Sequence, residues 1–428
     1  MTHTRWWTSL TMTFALALTS AGAAAPSYAN AGTVSLPAVT ATHTHSTSVQ
    51  STLATAAKAA VTVKHTTGAV RTGESIRLVA QARAQGGSVV PKGLLRVQFK
   101  PTGGSWKSVI VSRTNTAGKY AVDWRPDRSG HVRVAVRPAS GGNYIISPAI
   151  TVSVSTANRN LTQRQNILKH NIGTKKGSLG RLSASQRRAA NVKNLKSVAY
   201  QRYSKAMIVR NTVGGASSAY VIRGKILSAY LNAGGPKGRY GVPLMDAQCG
   251  LLDNGCVQQF SRGTIYSSST SKNATGVTAT GKPGEVAAAA TSQVGYTKKW
   301  SGSASVQHTK FNNWAGYTTH WCGHFVSWSA AASGNPHVTP VRKNFNTLHQ
   351  HLLNKYAKKR TPKVGALAFI DTMGAGRATH MGIVTAVGGG KVTVIEGNTV
   401  GNLPKNTRGV LKRNRTPSSI LYYVYPNY

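Results

Sequence analysis

The chain has 428 residues and sets 53 Lys and Arg against 8 Asp and Glu, for a formal net charge of +45. That length supports about two to four domains with separate cores, and three cysteines are too few for a disulfide-dense scaffold. The charge exceeds what solubility requires and favours polyanions, which for an exported chain means anionic wall polymers before nucleic acid.

Export is read from residues 1–31. Arg5 gives a basic start, residues 6–25 are mostly apolar or small, and Ser27-Tyr28-Ala29 or Ala29-Asn30-Ala31 offers a small-x-small cleavage site. No later apolar run reaches the length of a membrane span. A secreted product is expected, extracellular or wall-associated, with no membrane span in the mature chain. Residues 32–60, rich in Ala, Thr, Ser and Val, read as a linker. Its His43 and His45 read as solvated, since two histidines without further ligands make no metal site.

Residues 61–155 change to short alternating runs such as Ser75-Ile76-Arg77-Leu78-Val79-Ala80 and His131-Val132-Arg133-Val134-Ala135-Val136, bounded by Gly, Pro, Asn or Ser. This predicts an all-β sandwich. In Gly103-Gly104-Ser105-Trp106 and Thr116-Ala117-Gly118-Lys119-Tyr120 the stretch resembles bacterial Ig-like modules, which implies a spacer or wall contact.

Residues 157–266 form a basic segment whose first part, 157–200, has helical propensity. Leu231-Asn232-Ala233-Gly234-Gly235-Pro236-Lys237-Gly238-Arg239-Tyr240-Gly241-Val242-Pro243, followed by Val257 to Tyr266, resembles the LGFP repeat of exported proteins. A weaker earlier copy aligns Gly177-Ser178-Leu179-Gly180 with Gly238 to Gly241 and the run from Gln201 to Ile208 with that from Gln258 to Ile265, so a stacked pair is expected. The resemblance implies cell-wall association. Cys249 and Cys256 flank a glycine-bearing loop and are expected to form a disulfide worth about 2.5 kcal/mol.

Residues 267–283 read as a second linker, and residues 284–428 as the C-terminal domain, opening on a helix from Glu285 to Val294. Cys322 lies in Trp321-Cys322-Gly323-His324-Phe325-Val326-Ser327-Trp328. Phe325, Trp328 and Ala332 follow helical spacing, so Cys322 is placed at the N-terminus of an amphipathic helix ended by Gly334. There the helix dipole and unpaired N–H groups favour a thiolate. His324 projects away from Cys322, and His349 and His351 read as surface residues. His380 opens a strand that turns at Gly388-Gly389-Gly390 into a second strand ending Glu396-Gly397-Asn398. Period-two alternation puts Glu396 and Asn398 on one face, where either can hold the imidazole of His380.

Together with Ala288 to Tyr296 and Pro362-Lys363-Val364-Gly365-Ala366-Leu367-Ala368-Phe369-Ile370, these motifs resemble the CHAP domain. The resemblance implies a papain-like α+β fold and a cysteine amidohydrolase or peptidase, an N-acetylmuramoyl-L-alanine amidase or an endopeptidase of peptidoglycan. It implies Cys322 as nucleophile, His380 as base and later acid, and Glu396 or Asn398 as orienter, with Glu396 favoured by its charge. The family's common Gly-Asp is Gly365-Ala366 here, and no acidic cluster could bind calcium. No metal or other cofactor, no specific nucleic acid and a monomer are expected, with peptidoglycan and anionic wall polymers as partners. The rival expectation is a non-catalytic wall or polyanion binder with a degenerate CHAP domain.

Overall fold

The structure is a computed structural model that describes residues 57–66 and 69–428. The expected signal 1–31 and nearly all of the linker 32–60, with His43 and His45, lie outside the described residues. No helix among the described residues is long and apolar enough to cross a membrane.

The first module consists of two facing sheets. Alternation makes them: Ile76–Arg83 buries Ile76, Leu78, Ala80 and Ala82, and Leu94–Pro101 buries Leu95, Val97 and Phe99. One sheet contains Ala60–His65, Ile76–Arg83 and Lys119–Trp124, the other Ala69–Arg71, Ile150–Ser155, Gly130–Arg137, Leu94–Pro101 and Lys107–Arg113. Their inner faces meet at rings such as Phe99 and Trp124, with centroids 5.0 Å apart. Each large apolar side chain removed from water there contributes about 1.5–3 kcal/mol.

The first sheet does not stop at residue 155. Lys119–Trp124 also pairs with Gln248–Leu251 through Asp123 and Cys249, and the sheet continues through Gly255–Phe260, Gly263–Ser267 and Thr275–Val277. Sequence reading had separated the sandwich from the repeat segment. An exposed strand edge is a pairing site, and here the repeat occupies it. Gly250 permits the close approach: it has φ +81°, and a Cβ there would lie 2.2 Å from the Ala121 carbonyl oxygen.

Residues 157–200 are less helical than their composition suggests. Leu161–Leu168 and Ala184–Ala189 are helices, but Lys175–Arg181 and Leu195–Tyr203 are strands in a four-stranded sheet. Tertiary pairing overrides propensity here. Two hairpins share a register, with Gln201 opposite Ile208 and Gln258 opposite Ile265. The glycine correspondence read from sequence is shifted, however. Gly241 lies against Ser261: Val242 N donates to Ser261 Oγ at 3.1 Å and Ser261 N to Val242 O at 2.8 Å. The same two bonds join Thr174 and Ser204, at 3.0 and 2.8 Å. Gly173 (φ +77°) is therefore the counterpart of Gly241 (φ +71°), and Gly180 is not. The stretch from the matched glycine to the hairpin is longer in the first copy, because it contains the helix Ala184–Ala189, and this displaces a purely linear alignment.

The expected linker 267–283 is structured. It includes the strand Thr275–Val277 and the start of the helix Gly281–Thr291, whose Val286 to Ala290 are all fully buried. Small side chains let this helix lie between the repeat strands and the helix that begins at Cys322. Its Glu285 joins three segments: Arg125 Nη2 donates to Oε1 at 2.6 Å, Gln259 Nε2 to Oε1 at 2.8 Å and Asn335 Nδ2 to Oε2 at 3.0 Å.

The C-terminal domain has one antiparallel seven-stranded sheet, in the order Thr297–Lys299, Thr407–Arg415, Lys391–Thr399, His380–Gly388, Leu367–Ile370, Tyr422–Val424 and Lys358–Lys359. The helix Cys322–Ala332 packs on its central strands. Contrary to the amphipathic expectation, every residue of that helix is buried, because the Gly281–Thr291 helix and the helix Lys310–Ala315 cover its remaining faces.

Candidate active site

Cys322 is the first residue of its helix, and Trp321 precedes it as a cap that supplies no side-chain hydrogen bond. Trp321 is fully buried and stacks on Phe311 at 5.3 Å, with Tyr296 edge-on at 5.9 Å. This aromatic packing fixes the start of the helix and hence the thiol. Cys322 is free and 2% exposed.

Two glycines bring the helix and hairpin together. A Cβ on Gly397 would lie 2.6 Å from Phe325 Cβ, so glycine lets the helix settle on the strand bearing Glu396. A Cβ on Gly382 would lie 2.8 Å from Glu396 Cγ, so the strand that begins at His380 leaves room for the carboxylate.

His380 and Glu396 are both buried, with Nε2 and Oε2 3.2 Å apart and no aligned hydrogen bond between them. Glu396 also receives Arg415, from Nε to Oε1 at 2.5 Å and from Nη2 to Oε2 at 2.8 Å. Burial of Glu396 opposes its charge, but the hydrogen bonds from Arg415 and the close imidazolium of His380 outweigh it and hold the carboxyl at about 2. Burial likewise opposes the imidazolium, but the neighbouring Cys322 and then the Glu396 carboxylate lift His380 to about 9. The group therefore places Cys322, an imidazolium and a carboxylate in sequence.

Asn398 is placed differently from its expectation. The ladder is irregular between Glu396 and Thr399, and Asn398 has left-handed backbone at φ +60°, which breaks the alternation that was to put both residues on one imidazole. Its Nδ2 is instead 3.3 Å from Nδ1 of His320. His324 is occupied structurally, with Nδ1 at 2.7 Å from Asn312 Oδ1 and Nε2 at 2.8 Å from the Arg342 carbonyl. His349 is half-buried against Phe369 and bonded to Tyr422, so it is less exposed than its polar neighbours suggested.

Arg415 and His320 were missed by sequence reasoning. Arg415 ends the polar run Lys412-Arg413-Asn414-Arg415, where nothing distinguishes it from its neighbours. The available signal was the carboxylate itself, since a charge buried in an apolar strand requires a cation. Cys249 and Cys256 are directly opposed on neighbouring strands and joined by a disulfide. Among the described residues no group of three or more His, Cys, Asp or Glu is placed to hold a metal ion.

The family model of the CHAP domain matches residues 312–398, a span that contains Cys322, His380, Glu396 and Asn398. The LGFP repeat matches residues 241–282, from Gly241 to the first turn of the Gly281–Thr291 helix. The CHAP and LGFP resemblances read from the sequence are therefore found, with the repeat preceding the CHAP domain. No curated protein matches the chain.

Proposed function

We propose that the protein is a secreted peptidoglycan hydrolase that cleaves an amide bond of wall peptide by acyl transfer through Cys322, and that its upstream basic modules bind the wall. The observation that carries this reading is the buried sequence of Cys322, His380 and Glu396 within the CHAP match. The LGFP match and the charge of +45 support wall binding. In this reading the C-terminal fold is papain-like, the strands of residues 61–155 form an Ig-like spacer, and the mature protein acts as a monomer outside the cell or on its wall.

The thiolate of Cys322 attacks the amide carbonyl, and N–H groups of the first helical turn stabilise the oxyanion. The tetrahedral species collapses as the imidazolium of His380 gives its proton to the leaving amine. Water then attacks the thioester while His380 takes a proton, and the carboxylic acid leaves as the thiol is restored. Glu396 supports the imidazolium throughout, and Arg415 positions Glu396. With Nε2 turned to Glu396, Nδ1 is the ring nitrogen left for the thiol.

The net charge alone favours a second reading, a wall or polyanion binder without turnover. Purified walls incubated with the full chain separate the two. Hydrolysis releases soluble peptides with new amino groups, whose masses identify an amidase or an endopeptidase, and Cys322→Ala binds walls without releasing them. Wall binding by the unaltered chain with no release would establish the second reading.

A further inference from the structure

A cavity that the acyl-transfer chemistry leaves unused is walled by Trp300 and the segment that precedes and opens the strand Thr407–Arg415. Its volume is about 230 Å³ and its walls include Trp300, Leu403, Lys405, Asn406 and Arg408. His320, two residues before Cys322, stacks on Trp300 with ring centroids 5.5 Å apart and planes at 15°. The same His320 meets Asn398, two residues after Glu396. Trp300 thus links the cavity to His320, which precedes the nucleophile by two residues, and through His320 to Asn398, which follows Glu396 by two.

Its charge is uncompensated. The Arg408 guanidinium lies over the Trp300 ring, 4.5 Å from the centroid. Its Nε is buried and makes no hydrogen bond. Neither Arg408 nor Lys405 takes part in any ion pair among the described residues. The three carboxylates of residues 284–428 are engaged elsewhere, Glu285 by Arg125, Asp371 by the backbone N–H groups of Met373 and Gly376, and Glu396 by His380 and Arg415. A guanidinium stacked on an indole is planar, weakly hydrated and ready for two parallel bonds to one carboxylate. Asn398 Oδ1 is also buried without a partner and is free to accept an N–H. Burial and the nearby Arg408 both lower the pKa of His320, which keeps a third cation from forming there.

We propose that this cavity is a substrate subsite that takes a carboxylate of the wall peptide, held by Arg408 against Trp300, and that it sets a preference for a free carboxylate over a carboxamide near the scissile bond. The proposal rests on the reading of Cys322 as the nucleophile. Arg408 is a specificity residue in this scheme, and its effect falls on binding more than on the chemical step.

The test uses the full chain and two peptides that differ only in whether the carboxyl nearest the cut amide is free or amidated. A charge-assisted bidentate contact predicts that kcat/KM favours the free carboxylate by about 10-fold or more, mostly through KM. Arg408→Gln should bring that ratio close to one, and Arg408→Lys, which keeps the charge without the fork, should leave it intermediate. Comparison of the two peptides within each variant makes the ratio independent of any general loss of active protein. Equal cleavage of both peptides by the unaltered chain, or an unchanged ratio in Arg408→Gln, overturns the subsite and leaves the hydrolase reading intact. Failure to cut either peptide or whole walls overturns the hydrolase reading itself.

Discussion

Glu285 and Glu396 are both buried carboxylates that hold an arginine, yet their surroundings give them different work. Glu285 binds the guanidinium of Arg125 from the sandwich and the side-chain amides of Gln259 from the repeat and Asn335 from the C-terminal domain. Glu396 binds Arg415 and a histidine that in turn meets a thiol. In a chain with 8 acids against 53 bases, burial of an acid signals importance but not its kind. The titratable partner makes the distinction: the first site fastens modules together and the second can move a proton.

The largest expected effect follows from that distinction. Cys322→Ala and His380→Ala should each abolish release of peptide from walls while circular dichroism shows both variants folded. Residual turnover in either variant would show that the proton-moving site lies elsewhere. At Glu285 the expected pattern is reversed. Glu285→Gln leaves Arg125 buried without its charge partner and should lower stability by about 3–5 kcal/mol, with turnover at permissive temperature little changed. Chemical denaturation together with kcat reads both quantities, and unchanged stability would remove the proposed clamp.

The pH dependence sharpens the same contrast. With His380 lifted to about 9, the imidazolium that protonates the leaving amine disappears on the alkaline side. The rate should therefore fall with an apparent pKa near that value, by about tenfold per pH unit beyond it. The raised His380 contributes its full share of stability below its ordinary value of 6.5 and loses it as pH climbs through about 9. Glu396 contributes fully above its ordinary value of 4.5 and loses its share as pH falls through about 2. A kcat profile flat well beyond pH 9 would contradict the assignment of His380 as acid. The smallest effect concerns the upstream modules. Their attraction to walls should weaken as salt shortens the screening length to about 8 Å near physiological strength, and binding in co-sedimentation that ignores salt would argue against a charge-based role.

Much of the candidate site was legible because its chemistry is written locally. Cys322 opens a helix, His380 opens a strand and Glu396 is an acid in an apolar run, so spacing and composition suffice to bring them forward. Asn398 was misplaced because a backbone irregularity at φ +60° breaks an alternation that sequence treats as regular. Arg415 and His320 were not visible because their roles depend on which of several similar residues reaches a given neighbour. The same limit applied to the fold. Alternating residues revealed the strands, but pairing of Asp123 with Cys249 joins segments far apart in sequence, and nothing local marks residues 275–277 as a strand that closes the repeat.

The most direct test is the turnover number of Glu396→Gln on soluble wall peptide, measured where circular dichroism shows the variant folded. The amide keeps the shape of the carboxylate and removes its charge, so the account predicts a loss of about 10²–10⁴-fold, as for other residues that orient a catalytic histidine. Near-normal hydrolysis by Glu396→Gln, with Asn398→Ala folded and inactive, would contradict it and transfer the orienting role to Asn398.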